Sequence, residues 1–198
     1  IRLSLVGSEM CKETGDFLNE SELRRIIAKD IDIERLQTVR DIFIFCSFTG
    51  LAFTDVKHLK AEHIVQADDG RWWIRKAREK TDNMCDIPLL DIPRLILEKY
   101  KTRPGYSERG FLLPVPSNQR MNGYLKEIAD ICHIKKKLST HTGRHTFACT
   151  ISLGEGIPKE VLQVMMGHSS IRTTELYAKL PMEFVTRNLD KKLFHIWG

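Results

Sequence analysis

The stretch STHTGRHTFACT, residues 139–150, decides how the rest of this 198-residue chain is interpreted. It places His141 and Arg144 three positions apart at the start of a predicted helix, so both side chains lie on one face of that helix. A helix N-terminus favours a bound phosphate, and these two side chains add donors at the same place. Taken alone, the pair is explained as well by structural roles as by a phosphate site: His141 could cap the helix and Arg144 could form a surface ion pair.

The segment GHSSIRTTELY, residues 167–177, adds two more residues to this pattern. It follows a predicted helix, IPKEVLQVMMG, with Pro158 in the first turn and Gly167 just past the end, where helices favour them. His168 comes directly after that helix, and Tyr177 comes nine residues later. Four residues thus stand in order within the 37 positions from 141 to 177, namely His141, Arg144, His168 and Tyr177.

Hydrophobic periodicity predicts one mainly α (α+β) domain with a small inserted sheet. LQTVRDIFIFCSFTG is apolar nearly all round, which predicts a central helix that ends at Gly50. Asp69-Gly70 and Asp82-Asn83 are predicted turns between three antiparallel strands, at about 63–66, 72–78 and 84–88. Further helices are predicted in DFLNESELRRIIAKD, FTDVKHL, PRLILEKYK, SNQRMNGYLKEIADICH and THTGRHTFACTISL.

The composition fits a polyanionic partner without requiring one, and it argues against membrane insertion. Lys and Arg number 31 against 26 Asp and Glu, which gives a net charge of +5 and a pI near 9.0. The longest apolar run, IFIFCSF at 42–48, is far shorter than the roughly 20 residues of a membrane span. Five scattered cysteines without CxxC spacing predict reduced thiols in a cytoplasm, with neither a disulfide framework nor a zinc site. Because residue 1 is Ile, we expect a piece of a longer protein whose missing part lies upstream.

With its four ordered residues, the sequence resembles the catalytic domain of tyrosine recombinases, the phage and transposon integrases. The family signature is HxxR, then Gly-His, then a tyrosine nucleophile, and the resemblance runs from FLNESEL to Tyr177. RDIFIFCSFTGLAFTDVKHL, REKT, SNQRMNGYLKEIA and RHTFA are most similar to integrases of conjugative and mobilisable elements of the Bacteroidetes group. The resemblance implies the helical recombinase fold and a site-specific recombinase that cleaves and rejoins DNA through a 3′-phosphotyrosyl intermediate.

The chemistry of a tyrosine nucleophile fits the residues around it. A phenol has a pKa near 10, so its attack on a phosphodiester requires fixed cationic donors that stabilise the transition state. His141, Arg144 and His168 can provide them. The sequence has neither a phosphate-binding GxxxxGK[ST] loop nor clustered carboxylates for paired magnesium ions, so no cofactor or metal is predicted. The alternative for Tyr177 is an aromatic side chain packed on the core.

The resemblance also implies roles for residues outside the four-residue signature. A hairpin lysine protonates the leaving 5′-oxygen in this family, which points to Lys80 in REKTDN; the alternative is a solvated strand lysine. Asp55 and His145 match supporting positions, although either could be a satisfied buried polar group. Three successive lysines are interpreted as DNA-backbone contacts or as a solvated face: Lys135, Lys136 and Lys137.

One position departs from the family pattern. An arginine normally follows TGL, and this sequence has Ala52 there. On a strand, side chains two apart point to one face, so Arg78 shares a face with Lys80 while Arg75 falls on the other. We therefore expect Arg78 to supply the missing guanidinium; the alternative is that it only contacts the DNA backbone.

Two alternative functions follow from the same residues. Without the first arginine, the chain could be a catalytically inactive DNA-binding protein of this fold; the shared chemistry also fits a type IB topoisomerase, which works alone. An apolar stripe in residues 182–198 favours a tail that packs on a neighbouring subunit, hence a recombinase. The expected partners are double-stranded DNA attachment sites, a homo-tetramer and accessory DNA-bending factors. We expect upstream core-binding and arm-binding domains and a bacterial, nucleoid-associated location in the cytoplasm.

Overall fold

A long central helix organises the computed structural model, which describes residues 17–101 and 110–175 of the chain. The first four α-helices are α1 (Glu20–Ala28), α2 (Glu34–Thr49), α3 (Phe53–Lys57) and α4 (Asp91–Lys101). The next four are α5 (Asn118–Ile131), α6 (Thr140–Thr146), α7 (Lys159–Met166) and α8 (Ile171–Glu175). Among these described helices, none has both the length and the apolar character needed to cross a membrane.

Helix α2 forms the centre of the core. It is buried almost all round, most completely at Ile42, Phe43 and Phe45, and it packs against α1, α4, α5 and α6. The predicted end at Gly50 is confirmed: this residue has φ of 66° and its N–H donates to Cys46 O at 2.9 Å. A residue in the left-handed conformation at this place turns the chain out of the helix, and glycine adopts that conformation without steric cost.

The sheet contains β1 (Ile64–Gln66), β2 (Trp72–Ala77) and β3 (Met84–Pro88), all antiparallel and in that order. These bounds lie within one residue of the predicted strands. Ile74 of β2 pairs with Ile87 of β3, and both side chains are buried. Since β3 also packs against α7, the sheet joins the helical body on one face and carries the β2–β3 turn (residues 78–83) beside α7. The predicted fold class is confirmed.

The segment after α6 is where the helix prediction was incomplete. The expected helix through THTGRHTFACTISL divides into α6, a π-helical segment Phe147–Ser152 and a 3₁₀ turn Leu153–Glu155. An apolar pattern does not distinguish these windings, because all of them bury the same kind of side chain. Two threonines of this region hold the main chain of Leu18: its N–H donates to Thr146 Oγ1 at 3.0 Å, and its carbonyl accepts from Thr150 Oγ1 at 2.5 Å.

Gly50 provides a test of the packing between α2 and the π-helical segment. A Cβ at Gly50 would lie 2.3 Å from the Phe147 ring, whereas a Cβ at Gly70, which also has positive φ, would meet nothing within 4 Å. We expect Gly70→Ala to lower the free energy of unfolding by about 1 kcal/mol through backbone strain alone. Gly50→Ala should lower it by about 3 kcal/mol, because overpacking adds to that strain. Chemical denaturation measures both, and equal losses would contradict the packing described.

Candidate active site

Arg144 occupies the centre of the site and is buried, with 6% of its surface exposed. Its Nη1 donates to the carbonyl of Gly50, and its Nη2 donates to the carbonyl of Met166 at 2.9 Å. Both carbonyls belong to helix C-termini, where the partial charge is negative. Nη2 also lies 3.0 Å from His168 Nε2. The guanidinium is therefore fixed between the ends of α2 and α7 before any substrate arrives.

His168 follows α7 directly, and both of its ring nitrogens have neighbours. Nδ1 lies 2.9 Å from Oγ1 of the buried Thr174 in α8. Burial first, then the charges of Arg144 and Arg78, lower the pKa of His168 to about 3, so the ring is neutral at neutral pH. Arginine has only donors, so Nε2 accepts from Arg144 and the Nδ1–H donates to Thr174. Because a hydroxyl both donates and accepts, Thr174 can also support the opposite tautomer.

A second guanidinium, that of Arg78, lies near His168. Its side chain is 14% exposed, and its Nε lies 3.7 Å from Asp55 Oδ2. That same carboxylate oxygen accepts the backbone N–H of Ala52 at 3.3 Å. Arg78 therefore lies beside position 52, where the resemblance implies an arginine and this chain has alanine. Its Nε is buried and has no hydrogen-bond partner in the described part of the chain.

Gly167 makes room for Arg78. This residue ends α7 with φ of 60°, and a Cβ there would lie 2.8 Å from Arg78 Cδ and 2.6 Å from Cys85 Sγ. The Arg78 stem thus passes directly against the Gly167 backbone, one residue before His168. The sequence indicated Gly167 only as the end of a helix. Nothing in the sequence predicted that the missing side chain of Gly167 leaves space for Arg78.

Asp55 joins α3 to the β2–β3 turn. It is 1% exposed, and its Oδ1 accepts the backbone N–H of Glu79 at 2.8 Å. Lys80 follows Glu79 in this turn and is exposed. Lys76, on the same strand, is buried and donates to Glu79 Oε1 at 2.7 Å. Of these two lysines, Lys80 is the one whose side chain reaches solvent. Sequence reasoning identified neither Lys76 nor Glu79.

The remaining predicted residues are two histidines of α6 and Tyr177. His141 is exposed in the first turn of α6, and His145 is half-buried in its last turn. Tyr177 lies outside the described residues, two positions beyond Glu175 at the end of α8.

The three predicted DNA-contacting lysines do not share one environment. Lys135 and Lys137 are exposed. Lys136 is half-buried; its Nζ donates to the carbonyl of Phe17 at 2.8 Å and pairs with Glu22 at 2.6 Å. The expected phosphate contacts therefore rest on the two exposed lysines.

Comparison with known proteins gives consistent matches over this site. The sequence model described as Phage integrase family matches residues 16–183. A tyrosine recombinase of Pseudothermotoga lettingae is 29% identical over 167 residues, 82% of this chain and 55% of that protein. Tyrosine recombinase XerD of Shewanella oneidensis is 24% identical over 85% of this chain and 58% of that protein. The chain thus spans a little over half the length of these two relatives.

Solved structures share the fold at lower identity. The crystal structure of XerA recombinase matches with a TM-score of 0.66 and 21% identity, over 89% of this chain and 64% of that one. XerH recombinase bound to its difH substrate matches with a TM-score of 0.69 and 17% identity, over 89% of this chain and 54% of that one. The helical body and three-stranded sheet therefore have the architecture of recombinase structures.

The neutral state of His168 makes folding stability depend on pH. The pKa of His168 is about 3 in the folded chain, against about 6.5 for an unperturbed histidine. As pH falls from 7 to 5, the unfolded state binds a proton that the folded state does not, so the free energy of unfolding falls. We expect the wild-type chain to lose about 1 kcal/mol more than His168→Gln over this range, after allowance for partial exposure. Urea unfolding at both pH values measures this; identical losses would contradict a neutral His168.

Proposed function

Since this chain belongs to the phage integrase family, we propose that it carries the catalytic site of a site-specific DNA recombinase. One observation carries the proposal: Arg144 and His168 lie in contact, with Arg78 close by, and the chain continues to Tyr177 directly after α8. Fixed cationic donors of this kind stabilise the charge that develops on a phosphate under attack.

The proposed reaction begins with attack by the Tyr177 hydroxyl oxygen on a DNA phosphorus atom. A bond forms between this oxygen and phosphorus, the bond to the 5′-oxygen breaks, and the phenolic proton is lost to solvent. The ammonium of Lys80 gives its proton to the leaving 5′-oxygen. The 5′-hydroxyl of another strand then attacks phosphorus and gives its proton to the Lys80 amine. The bond from phosphorus to the Tyr177 oxygen breaks, this oxygen takes a proton from solvent, and the strand is exchanged. Because phosphodiester energy is conserved in the phosphotyrosyl link, no nucleotide cofactor is required.

The donor groups have separate roles in this proposal. Arg144 donates to the nonbridging phosphate oxygens, and the exposed His141 reaches the same phosphate from the helix N-terminus. In the opposite tautomer, with the proton on Nε2, His168 donates to the phosphate in place of accepting from Arg144, and the Thr174 hydroxyl donates to Nδ1. Asp55 and His145 support the site without touching substrate.

Arg78 is proposed to replace the arginine that is absent at Ala52. The support is geometric: Arg78 Nε and the Ala52 N–H face the same Asp55 oxygen, and Arg78 is close enough to His168 to lower its pKa. The Arg78 Nε is buried and has no hydrogen-bond partner among the described residues, which supports a donor that is available to a bound phosphate. Two guanidinium groups fix the orientation of a phosphate as well as its charge.

Ala52 itself favours a second candidate function, a catalytically inactive DNA-binding protein of the same fold. A type IB topoisomerase-like strand transferase would share the cleavage chemistry and differ by acting alone. Formation of a covalent adduct separates the inactive protein from the other two. Rejoining between two different duplexes separates a recombinase from a topoisomerase.

The finer parts of the proposal concern partners and origin. We propose double-stranded attachment sites as substrate, with backbone contacts from Lys135 and Lys137, a homo-tetramer on DNA, and accessory DNA-bending factors. Residues 182–198, outside the described part of the chain, are proposed to pack on a neighbouring subunit. The solved XerH structures contain their difH DNA substrate, which supports a DNA partner here. We further propose that the protein is an integrase of a Bacteroidetes mobile element and that it is located in the bacterial cytoplasm, associated with the nucleoid.

Trapping of the covalent intermediate tests the function. We expect wild-type protein, without added metal or nucleotide, to form a denaturation-resistant adduct with a nicked duplex that carries an attachment site obtained by binding selection. Tyr177→Phe should still bind this duplex and form no adduct, because the nucleophilic oxygen is absent. Tyr124→Phe is the control and should form the adduct normally. Peptide mapping of the adduct to any other tyrosine would reject Tyr177 as the nucleophile.

Single-turnover cleavage at saturating protein tests Arg78. We expect Arg78→Ala to slow cleavage by about 10²- to 10³-fold, the usual cost of losing one preorganised donor. Arg75→Ala is the matched control, because Arg75 is exposed and pairs with Asp86 at 2.7 Å. It should cleave at nearly the wild-type rate. The double variant Ala52→Arg, Arg78→Ala should regain activity. Near-normal cleavage by Arg78→Ala with weakened DNA binding would instead assign Arg78 to the DNA backbone.

A further inference from the structure

The turn between β2 and β3 is held in one conformation by its own backbone. The N–H of Arg78 donates to Asn83 O at 2.9 Å, and the N–H of Asp82 donates back to Arg78 O at 2.9 Å. Asp82 has φ of 56°, a left-handed conformation that aspartate tolerates better than most residues. The Asn83 amide also donates to Gly167 O at 3.2 Å, which ties the end of the turn to α7.

Glu79 attaches this turn to two further places at once. Its backbone N–H donates to Asp55 Oδ1 at 2.8 Å, on helix α3. Its carboxylate accepts from Lys76 Nζ at 2.7 Å, and His58 Nδ1 lies 3.6 Å from the same oxygen. The hydrogen bond from Lys76 lowers the pKa of Glu79, so the carboxylate is ionised at neutral pH. Main chain and side chain of one residue are therefore both fixed, immediately before Lys80.

The partner Lys76 makes this contact more than an ordinary surface ion pair. Exposed pairs contribute little, because water competes for both charges. Lys76, however, has only 7% of its side chain exposed. A buried ammonium that loses its carboxylate is left uncompensated and moves toward water. Removal of the Glu79 charge should therefore loosen the turn at residues 79 and 80. Arg78 keeps its own backbone bonds with Asp82 and Asn83, and its stem stays against Gly167.

We propose that Glu79 is a positioning residue for the strand-cleavage reaction, because it holds the turn so that the Lys80 ammonium stays at the leaving 5′-oxygen. This inference rests on the proposed function, in which Lys80 is the general acid. The physical reason is that lysine has a long flexible stem, and its ammonium can be directed only if the backbone that carries it is fixed. Lys76 is excluded from the same role, since its Nζ is buried against Glu79.

A substrate with a different leaving atom isolates this role. When sulfur replaces the bridging 5′-oxygen, the leaving group is a thiolate, whose conjugate acid has a pKa near 8.5, and it departs without a general acid. Single-turnover cleavage of both substrates would be measured for the full chain as wild type, Glu79→Gln and Lys76→Met. The control is Glu127→Gln, which removes an exposed carboxylate paired with Arg35 at 3.0 Å.

We expect Glu79→Gln to cleave the oxygen substrate at least about tenfold more slowly than wild type, as befits partial loss of general-acid help. Its rate on the sulfur substrate should stay within about twofold, because no proton is required there. Lys76→Met should show the same pattern in weaker form, since the carboxylate loses one of its anchors. Glu127→Gln should match wild type on both substrates.

Other results would overturn the positioning role. Equal slowing of Glu79→Gln on both substrates would mean that the residue only stabilises the fold, and an unchanged rate on both would mean that it does neither. A Glu79→Gln chain that fails to fold leaves Lys76→Met to decide by the same comparison. If wild type forms no adduct with either substrate, the proposed function fails first, and the positioning role fails with it.

Discussion

A buried guanidinium is costly unless every one of its contacts is favourable, and the geometry around Arg144 reflects this constraint. Its two hydrogen-bonded carbonyls, of Gly50 and Met166, end two helices that are far apart in sequence. Both helices must end where they do for the charge to be compensated. Gly50 allows the first to end beside the Phe147 ring, and Gly167 allows the second to end against Arg78 and Cys85. The helical body is thus arranged around one cation, and the site inherits its rigidity from that arrangement.

A second network, centred on the Asp55 carboxylate, connects the sheet to the helical body. Asp55 binds the main chain of both Ala52 and Glu79, and Arg78 lies beside it. Helix α3 and the β2–β3 turn therefore cannot move far apart without breaking charge-assisted contacts. The resemblance to tyrosine recombinases implies an arginine at position 52, at one end of this network, where this chain has alanine. In this chain the Arg78 guanidinium lies at the other end of the network, beside the same Asp55 carboxylate.

The sequence predicted the elements well because their signals are local. The strand expected at 72–78 is found as Trp72–Ala77, and the all-apolar helix before Gly50 is central, as expected. Contacts between distant residues were not predictable, because periodicity carries no information about which faces meet; the bond from Asn83 to Gly167 spans 84 residues. Buried charges were a second feature that the sequence did not predict. Alternation of apolar and polar residues gives no reason for a lysine on the buried face of β2, and the Glu79 carboxylate, which pairs with Lys76, explains it.

The proposed use of Arg78 in place of an arginine at position 52 has a thermodynamic consequence for the turn of residues 78–83. With a guanidinium at position 52, just before α3, opening of the turn would remove only the ammonium of Lys80 from the proposed reaction. Under the proposed assignment, Arg78 and Lys80 both lie in this turn, so opening of the whole turn would remove both at once. The rate would then follow the population of the closed turn, set by its free energy of local opening. Under that assignment, local opening of a single turn would act on the proposed reaction nearly as an on–off control, rather than merely grading its rate.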